Sequence, residues 1–242
     1  MRTWRNTFTG LTCVLAIGAF AVGAQADVVS VPFTQLSGIT GGAIAGTAVY
    51  ETDLSAVGLT SILSISIQDA SFGLGGAAGQ FSGFDLDAIK LSTTDCATAA
   101  CAAGLAGLAV FNFPGGTIFA PGVQRVPTDP KLFGTGATGT TVDNTVATLG
   151  VFDGESTTAI PGAFGFLSMG DGGLLSFNLT APVDPAGLHL YIGEVGDNGE
   201  VAAGSVVVRD TPVGVPEPSS TLFLLGFAAA GLGGFAWWRR RG

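Results

Sequence analysis

The run Ser61-Ile62-Leu63-Ser64-Ile65-Ser66-Ile67 puts Leu63, Ile65 and Ile67 on one face and polar or smaller residues on the other. A period of two is the signature of a half-buried β-strand, because successive side chains of an extended backbone point to opposite sides. The same alternation recurs at 84–91, 175–180 and 188–192, with shorter matches at 48–50, 108–113, 146–152 and 206–208. Glycine, proline, Asp or Asn punctuates the gaps, as expected from a chain with 39 glycines and 11 prolines. About nine to eleven short strands in one body exceed what a single open sheet covers without leaving apolar surface wet. The expected fold class is therefore all-β, a β-sandwich of jelly-roll-like form over 27–209. Nothing repeats at a fixed period, which argues against a solenoid or propeller. The stretch 92–107 is nearly all small residues and reads as a long inserted loop.

Charge is distributed unevenly. Of nine basic residues, Arg2, Arg5, Arg239, Arg240 and Arg241 lie at the ends. Between Asp27 and Glu217 stand 18 acids against Lys90, Arg125, Lys131 and Arg209, a net charge of −14. Such a body repels phosphate backbones, so nucleic acid is not expected as a partner.

Residues 1–26 read as a secretory signal helix. Arg2 and Arg5 precede an apolar run from Leu11 to Gly23, and Ala24-Gln25-Ala26 supplies an A-x-A site that makes Asp27 the first mature residue after signal peptidase. The competing reading is an uncleaved anchor, for which the apolar run is short. Export places Cys96 and Cys101 in an oxidising compartment, where four intervening residues permit a local disulfide. So small a loop is worth about 2 kcal/mol by chain entropy, enough to staple a loop but not to define a fold.

Motifs for catalysis are sparse. The chain has no G-x-S-x-G, H-E-x-x-H or G-x-x-x-x-G-K, and its one histidine, His189, has no local partner in sequence. The expected ectodomain is non-catalytic and needs no cofactor. Carboxylates are the remaining candidates. Asp171 in MGDGG, together with Glu194, Asp197 and Glu200 in GEVGDNGE, lies on expected turns or strand edges where oxygen ligands for Ca²⁺ gather, although the spacing is not that of an EF-hand. The same Asp-Gly and Asn-Gly steps are what tight turns require. A pair of carboxylates would also suit a secreted carbohydrate-active hydrolase, whose mechanism depends on a separation that sequence does not fix.

The C-terminal end is more specific. Asp210 to Ser220 contains Pro212, Pro216 and Pro218 and reads as a semi-extended linker over 210–220. Then Thr221 to Trp238 runs 18 residues without a charge, about 27 Å as a helix, just enough to cross a hydrocarbon core once. Trp237 and Trp238 sit where an aromatic belt belongs, and Arg239, Arg240 and Arg241 follow as a cytoplasmic stop. The expected element over 221–242 is a single transmembrane helix with a basic tail.

In Val215-Pro216-Glu217-Pro218, the apolar span and the terminal arginines, the tail resembles the PEP-CTERM sorting signal of bacterial exported proteins. The resemblance implies processing by an exosortase, with Pro216, Glu217 and Pro218 as the recognised motif and Arg239 to Arg241 as the retention cluster. It implies transient residence in the inner membrane, then the cell surface or extracellular matrix of a Gram-negative bacterium that makes exopolysaccharide or biofilm. Upstream, FLSMGDGGLLSFNLT and LYIGEVGDNGE are similar to the β-rich ectodomains of such proteins. The expected role is structural or adhesive, with extracellular polysaccharide as a partner. The alternatives are a hydrolase or a Ca-dependent glycan-binding module on the same anchor, or a plain single-span anchor whose prolines merely end the domain.

Overall fold

The computed structural model describes residues 27–155, 165–198 and 206–214. The signal segment, the Pro-Glu-Pro motif, the apolar span, the terminal arginines and Glu200 lie outside the described residues. Among the described residues, no helix is long and apolar enough to cross a membrane.

Ten strands build two antiparallel sheets: β1 (Val28–Val31), β2 (Thr34–Thr40), β3 (Thr47–Asp53), β4 (Ile62–Gln68), β5 (Asp85–Ser92), β6 (Thr117–Ala120), β7 (Leu167–Ser168), β8 (Leu174–Val183), β9 (His189–Val195) and β10 (Val206–Arg209). Two short helices, α1 (Ala99–Gly104) and α2 (Asn144–Ala147), interrupt them, so the body is all-β. The first sheet runs β1-β10-β4-β8-β6 and the second β2-β3-β9-β5-β7.

One apolar cluster draws on both sheets. Val206 and Val208 lie opposite Ile67 and Ile65, which in turn face Leu175 and Phe177, so ladders of β-branched and aromatic side chains cross the first sheet at constant height. Leu86, Ile89, Leu91, Leu190 and Ile192 of the second sheet join the same cluster. Phe111 and Phe113 stack with centroids 5.5 Å apart, and both present edges to Phe177 at 5.6 and 6.0 Å. In β4 the alternation slips at its start: Ile62 is buried and Leu63 only half-buried, because the register with β8 shifts between Ile62 and Ser64.

Two expected strands have other structures. The run 108–113 is a loop with an isolated bridge from Phe111 to Leu179, its apolar side chains packing as a plug rather than alternating. Over 146–152 the last turn of α2 and the turn after it stand instead. Asp143 caps the helix by accepting from Thr145 N–H at 3.1 Å, and Thr148 ends it in the left-handed region at φ 44°. The small-residue stretch 92–107 contains α1, capped by the Thr98 hydroxyl accepting from Cys101 N–H at 3.1 Å.

β5 is buried along its whole length, polar side chains included. The outer face of the second sheet is covered by a smaller cluster that packs Cys96, Ala99, Ala102 and Phe152 on Val49, Ala88 and Tyr191. Gly193 makes room for this cover, since a Cβ there would lie 2.8 Å from the Phe152 ring.

Candidate functional site

The two ends of the described domain meet. β1 pairs with β10 so that Val28 lies opposite Arg209, and Asp27 N–H donates to the Asp210 carboxylate at 3.1 Å. Beyond β10 the chain stays on the outer face of the first sheet. Ser64 Oγ donates to Thr211 C=O at 2.7 Å, while the Asn178 side-chain amide accepts from Val213 N–H at 2.7 Å and donates to Val213 C=O at 3.1 Å. Arg209 reaches Ser66 Oγ at 2.7 Å on the same face. An amide side chain meeting a backbone residue through both donor and acceptor copies a β-ladder pair, so the outgoing chain is held as if it were another strand. The segment read as a linker thus starts docked, and Val213 stands three positions before Pro216.

The candidate calcium ligands do not converge among the described residues. Asp171 receives Arg125 in a fork, with Nη2 to Oδ1 at 2.7 Å and Nε to the two oxygens at 3.0 and 3.1 Å. Arg125 also reaches the carbonyls of Leu74 and Gly75, which ties the glycine-rich loop after β4 to the MGDGG turn. That turn needs its glycines, because Gly170 has φ +74° and its backbone abuts Gly83, where a Cβ would lie 2.4 Å from the Gly170 carbonyl carbon. Glu194 is fully buried in β9, and Asp197 is exposed and accepts from Gln35 Nε2 at 3.0 Å. Burial raises the Tyr50 phenol above its usual range, and the nearby charges of Glu194 and Asp197 raise it further.

The outer face of the second sheet gathers the charged groups. Asp87, fully buried, accepts from the Thr47 hydroxyl and from Gly154 N–H at 3.1 Å. Desolvation pushes it up to about 7 against those two hydrogen bonds, with neighbouring Asp153 adding to the rise. Burial likewise raises Asp153, whose carboxylate takes the Thr148 hydroxyl at 3.1 Å. Nearby, Lys90 donates to the carbonyls of Ala103 and Leu105 at 3.0 and 2.9 Å and stands 5.0 Å from the Phe152 ring centre. A cation on the last carbonyls of α1 is favourable to the helix dipole, and burial lowers its pKa.

Further along this face, Tyr191 Oη donates to Thr94 C=O at 2.7 Å and accepts from Cys96 N–H at 3.0 Å. Cys96 and Cys101 are disulfide-bonded. His189 Nδ1 lies 2.7 Å from Glu51 Oε1, and Asp95 stands beside them. Sequence spacing gave no sign of this partnership, since Glu51 is 138 residues away and only the β3–β9 pairing brings it close. Two concavities of about 180 and 140 Å³ also occur, the first lined by Phe81, Asp85, Glu155 and Phe166, the second by Ile89, Leu108, Phe111 and Phe113. Both are below the range of about 300–1,000 Å³ typical of small-molecule pockets.

Comparison with curated proteins and with solved structures yields no match for this chain. The family model for the PEP-CTERM protein-sorting motif matches residues 214–241, so the docked segment after β10 runs directly into the matched residues. The chain therefore carries a PEP-CTERM protein-sorting motif at its C-terminal end.

Proposed function

We propose that this chain is an exported surface or matrix protein of a Gram-negative bacterium, addressed by its tail and processed there by an exosortase. The observation that carries the reading is the motif match at 214–241. The three parts of the tail ask for three physical acts: the apolar span halts the translocating chain, the arginines Arg239 to Arg241 fix its orientation, and Pro216-Glu217-Pro218 holds an extended backbone outside the bilayer. Docking of the chain as far as Val213 supports the same reading. The motif begins three positions after Val213 and so follows closely on the folded body.

The body in front of this address is, in our reading, a jelly-roll-like β-sandwich that works without catalysis, as a structural or adhesive module among extracellular polysaccharide. The support is that strands of the two sheets alternate along the chain from β3 to β10, and that the buried carboxylates Asp69 and Asp87 hold backbone amides at Phe84 and Gly154 while Asp85 holds β7 through Ser168. Signal peptidase acts first, before Asp27, and the exosortase second.

The experiment replaces Pro216, Glu217 and Pro218 by alanine in a host that encodes an exosortase and follows the C-terminal peptide by mass spectrometry. The wild-type protein at the surface should lack residues after the motif, and the variant should stay unprocessed in the membrane fraction. A wild-type protein that still ends at Gly242 reduces the tail to a plain anchor.

A further inference from the structure

We propose that Glu51, Asp95 and His189 form a binding site for a divalent first-row transition cation, with Zn²⁺ as its model ion, which clips the disulfide-closed segment to the outer face of the second sheet. The three side chains come from three separate parts of the chain: β3, the loop after β5, and β9. Each offers a ligand atom within 4.8 Å of the other two. His189 and Glu51 are held in place by their strands. Asp53 pairs with His189 and Glu51 with Tyr191, so Glu51 is the diagonal cross-strand neighbour of His189, and both side chains are largely buried. Asp95 is exposed. Its neighbours are fixed all the same, because Tyr191 Oη bonds to Thr94 C=O and Cys96 N–H on either side of it, and the Cys96–Cys101 bond closes the segment that follows.

The chemistry of the donors selects the ion. One imidazole nitrogen with two carboxylates suits zinc and its neighbours, whereas Ca²⁺ takes oxygen ligands alone and in larger number. Ligands about 2.1 Å from a tetrahedral cation lie about 3.4 Å apart, so a rotation of the exposed Asp95 side chain closes the set while the two strand-borne ligands barely move. The cation would take the Nδ1 lone pair of a neutral imidazole whose hydrogen sits on Nε2, with Glu51 Oε1 beside it, and water would complete the shell on the open side. Three acids surround this one histidine, Glu51 and Asp95 in the trio and Asp53 opposite His189 in the β3–β9 register, so a dication finds charge compensation here.

The proposal stands apart from the sorting reading and is tested on the full chain in detergent, free of any histidine tag and stripped with chelator. Zn²⁺ at a hundredfold excess over its Kd should raise the melting temperature by roughly 5–10 °C, while millimolar Ca²⁺ leaves it unchanged. Co²⁺ should give a visible d–d spectrum without thiolate charge transfer. Asp95→Asn, at an exposed position, should keep the melting temperature of the metal-free protein and weaken Zn²⁺ at least tenfold. His189→Gln should abolish the response. If His189→Gln does not fold, Asp95→Asn alone decides. The proposal is overturned if the wild type shows no Zn²⁺ response, if Asp95→Asn binds Zn²⁺ within twofold of wild type, or if Ca²⁺ gives an equal shift that the same variants remove.

Discussion

The outer faces of the two sheets are closed in opposite ways. On the first sheet, Ser64 and Asn178 hold the outgoing chain with a neutral hydroxyl and an amide, beside a Ser66–Ser176 hydroxyl pair that receives Arg209, the one charge. On the second, Lys90, Glu51 and His189 lie under or beside an inserted segment stapled by a disulfide, and Asp87 is buried against Thr47 and Gly154. The difference is one of timing as well as chemistry. A neutral ladder to a short strap forms and opens at small cost, as suits a segment that leads to a processing signal, whereas buried charges demand a cover that stays in place. Variants on the two faces should therefore differ in size and in their dependence on pH.

The largest effect should come from the buried acids of the second sheet. Asp87 ionises at about 7 in the folded protein, and Asp153 is raised with it; an unfolded Asp ionises near 4. Between those limits the folded state keeps a proton that the unfolded state has lost, so stability is fully present at about pH 4 and falls as pH rises towards about 7, then levels off. The expected loss is on the order of a few kcal/mol, read from urea midpoints across pH 4–8. Asp87→Asn, which still accepts from Gly154 N–H, should flatten the curve; an unchanged slope would show that the pair is not the source.

Next comes the staple. Replacing Cys96 and Cys101 by alanine should cost about 2 kcal/mol and leave a folded domain, because the closed loop is short and the core lies elsewhere. Tyr191→Phe should follow at about 1.5 kcal/mol, since it strips Thr94 C=O and Cys96 N–H of one shared partner. The two losses should fall short of additive, both acting on one segment, and thermal melts of the single and combined variants measure that shortfall.

How far the sequence revealed this contrast depends on the range of the signal. β4, β8 and β9 were legible because apolar side chains alternate locally along each, on the face that joins the shared core, even though much of the opposite face is covered too. β2 was not. Its seven residues, TQLSGIT, are mostly exposed at a sheet edge, so no apolar period marks them. The run 108–113 misled because consecutive apolar residues look alike whether they pair or plug, and 146–152 because the cap at Asp143 stood just outside the window that was read as a strand. The grouping of His189 with Glu51 and Asp95 was out of reach, since strand pairing and not spacing creates it. The tail was the reverse case, legible because its three parts are contiguous.

On the first sheet the expected effects are smaller. Asn178→Ala should cost about 1 kcal/mol by freeing Val213 from both of its side-chain bonds. Its sharper readout is proteolysis between Thr211 and Pro216, which should speed up while cleavage within 92–107 stays constant. Equal acceleration at both sites would mean that the two faces open together.

The smallest effect tests whether processing at one end is felt at the other. Asp27 N–H donates to the Asp210 carboxylate before any cleavage. Removal of the signal segment would turn that amide into an ammonium at the same place, and the hydrogen bond into an ion pair. Both groups lie at the surface, so the gain should stay below about 1 kcal/mol and fade with salt. Asp210→Asn should thus leave an uncleaved precursor nearly unchanged and lower the stability of the form that begins at Asp27, most visibly at low ionic strength. The measurement is a pair of urea titrations, precursor and cleaved form, each with and without the substitution. A deficit of equal size in both forms would mean that Asp210 acts only as an acceptor for a backbone amide, and that the strap leaving β10 is indifferent to what happened at the other terminus.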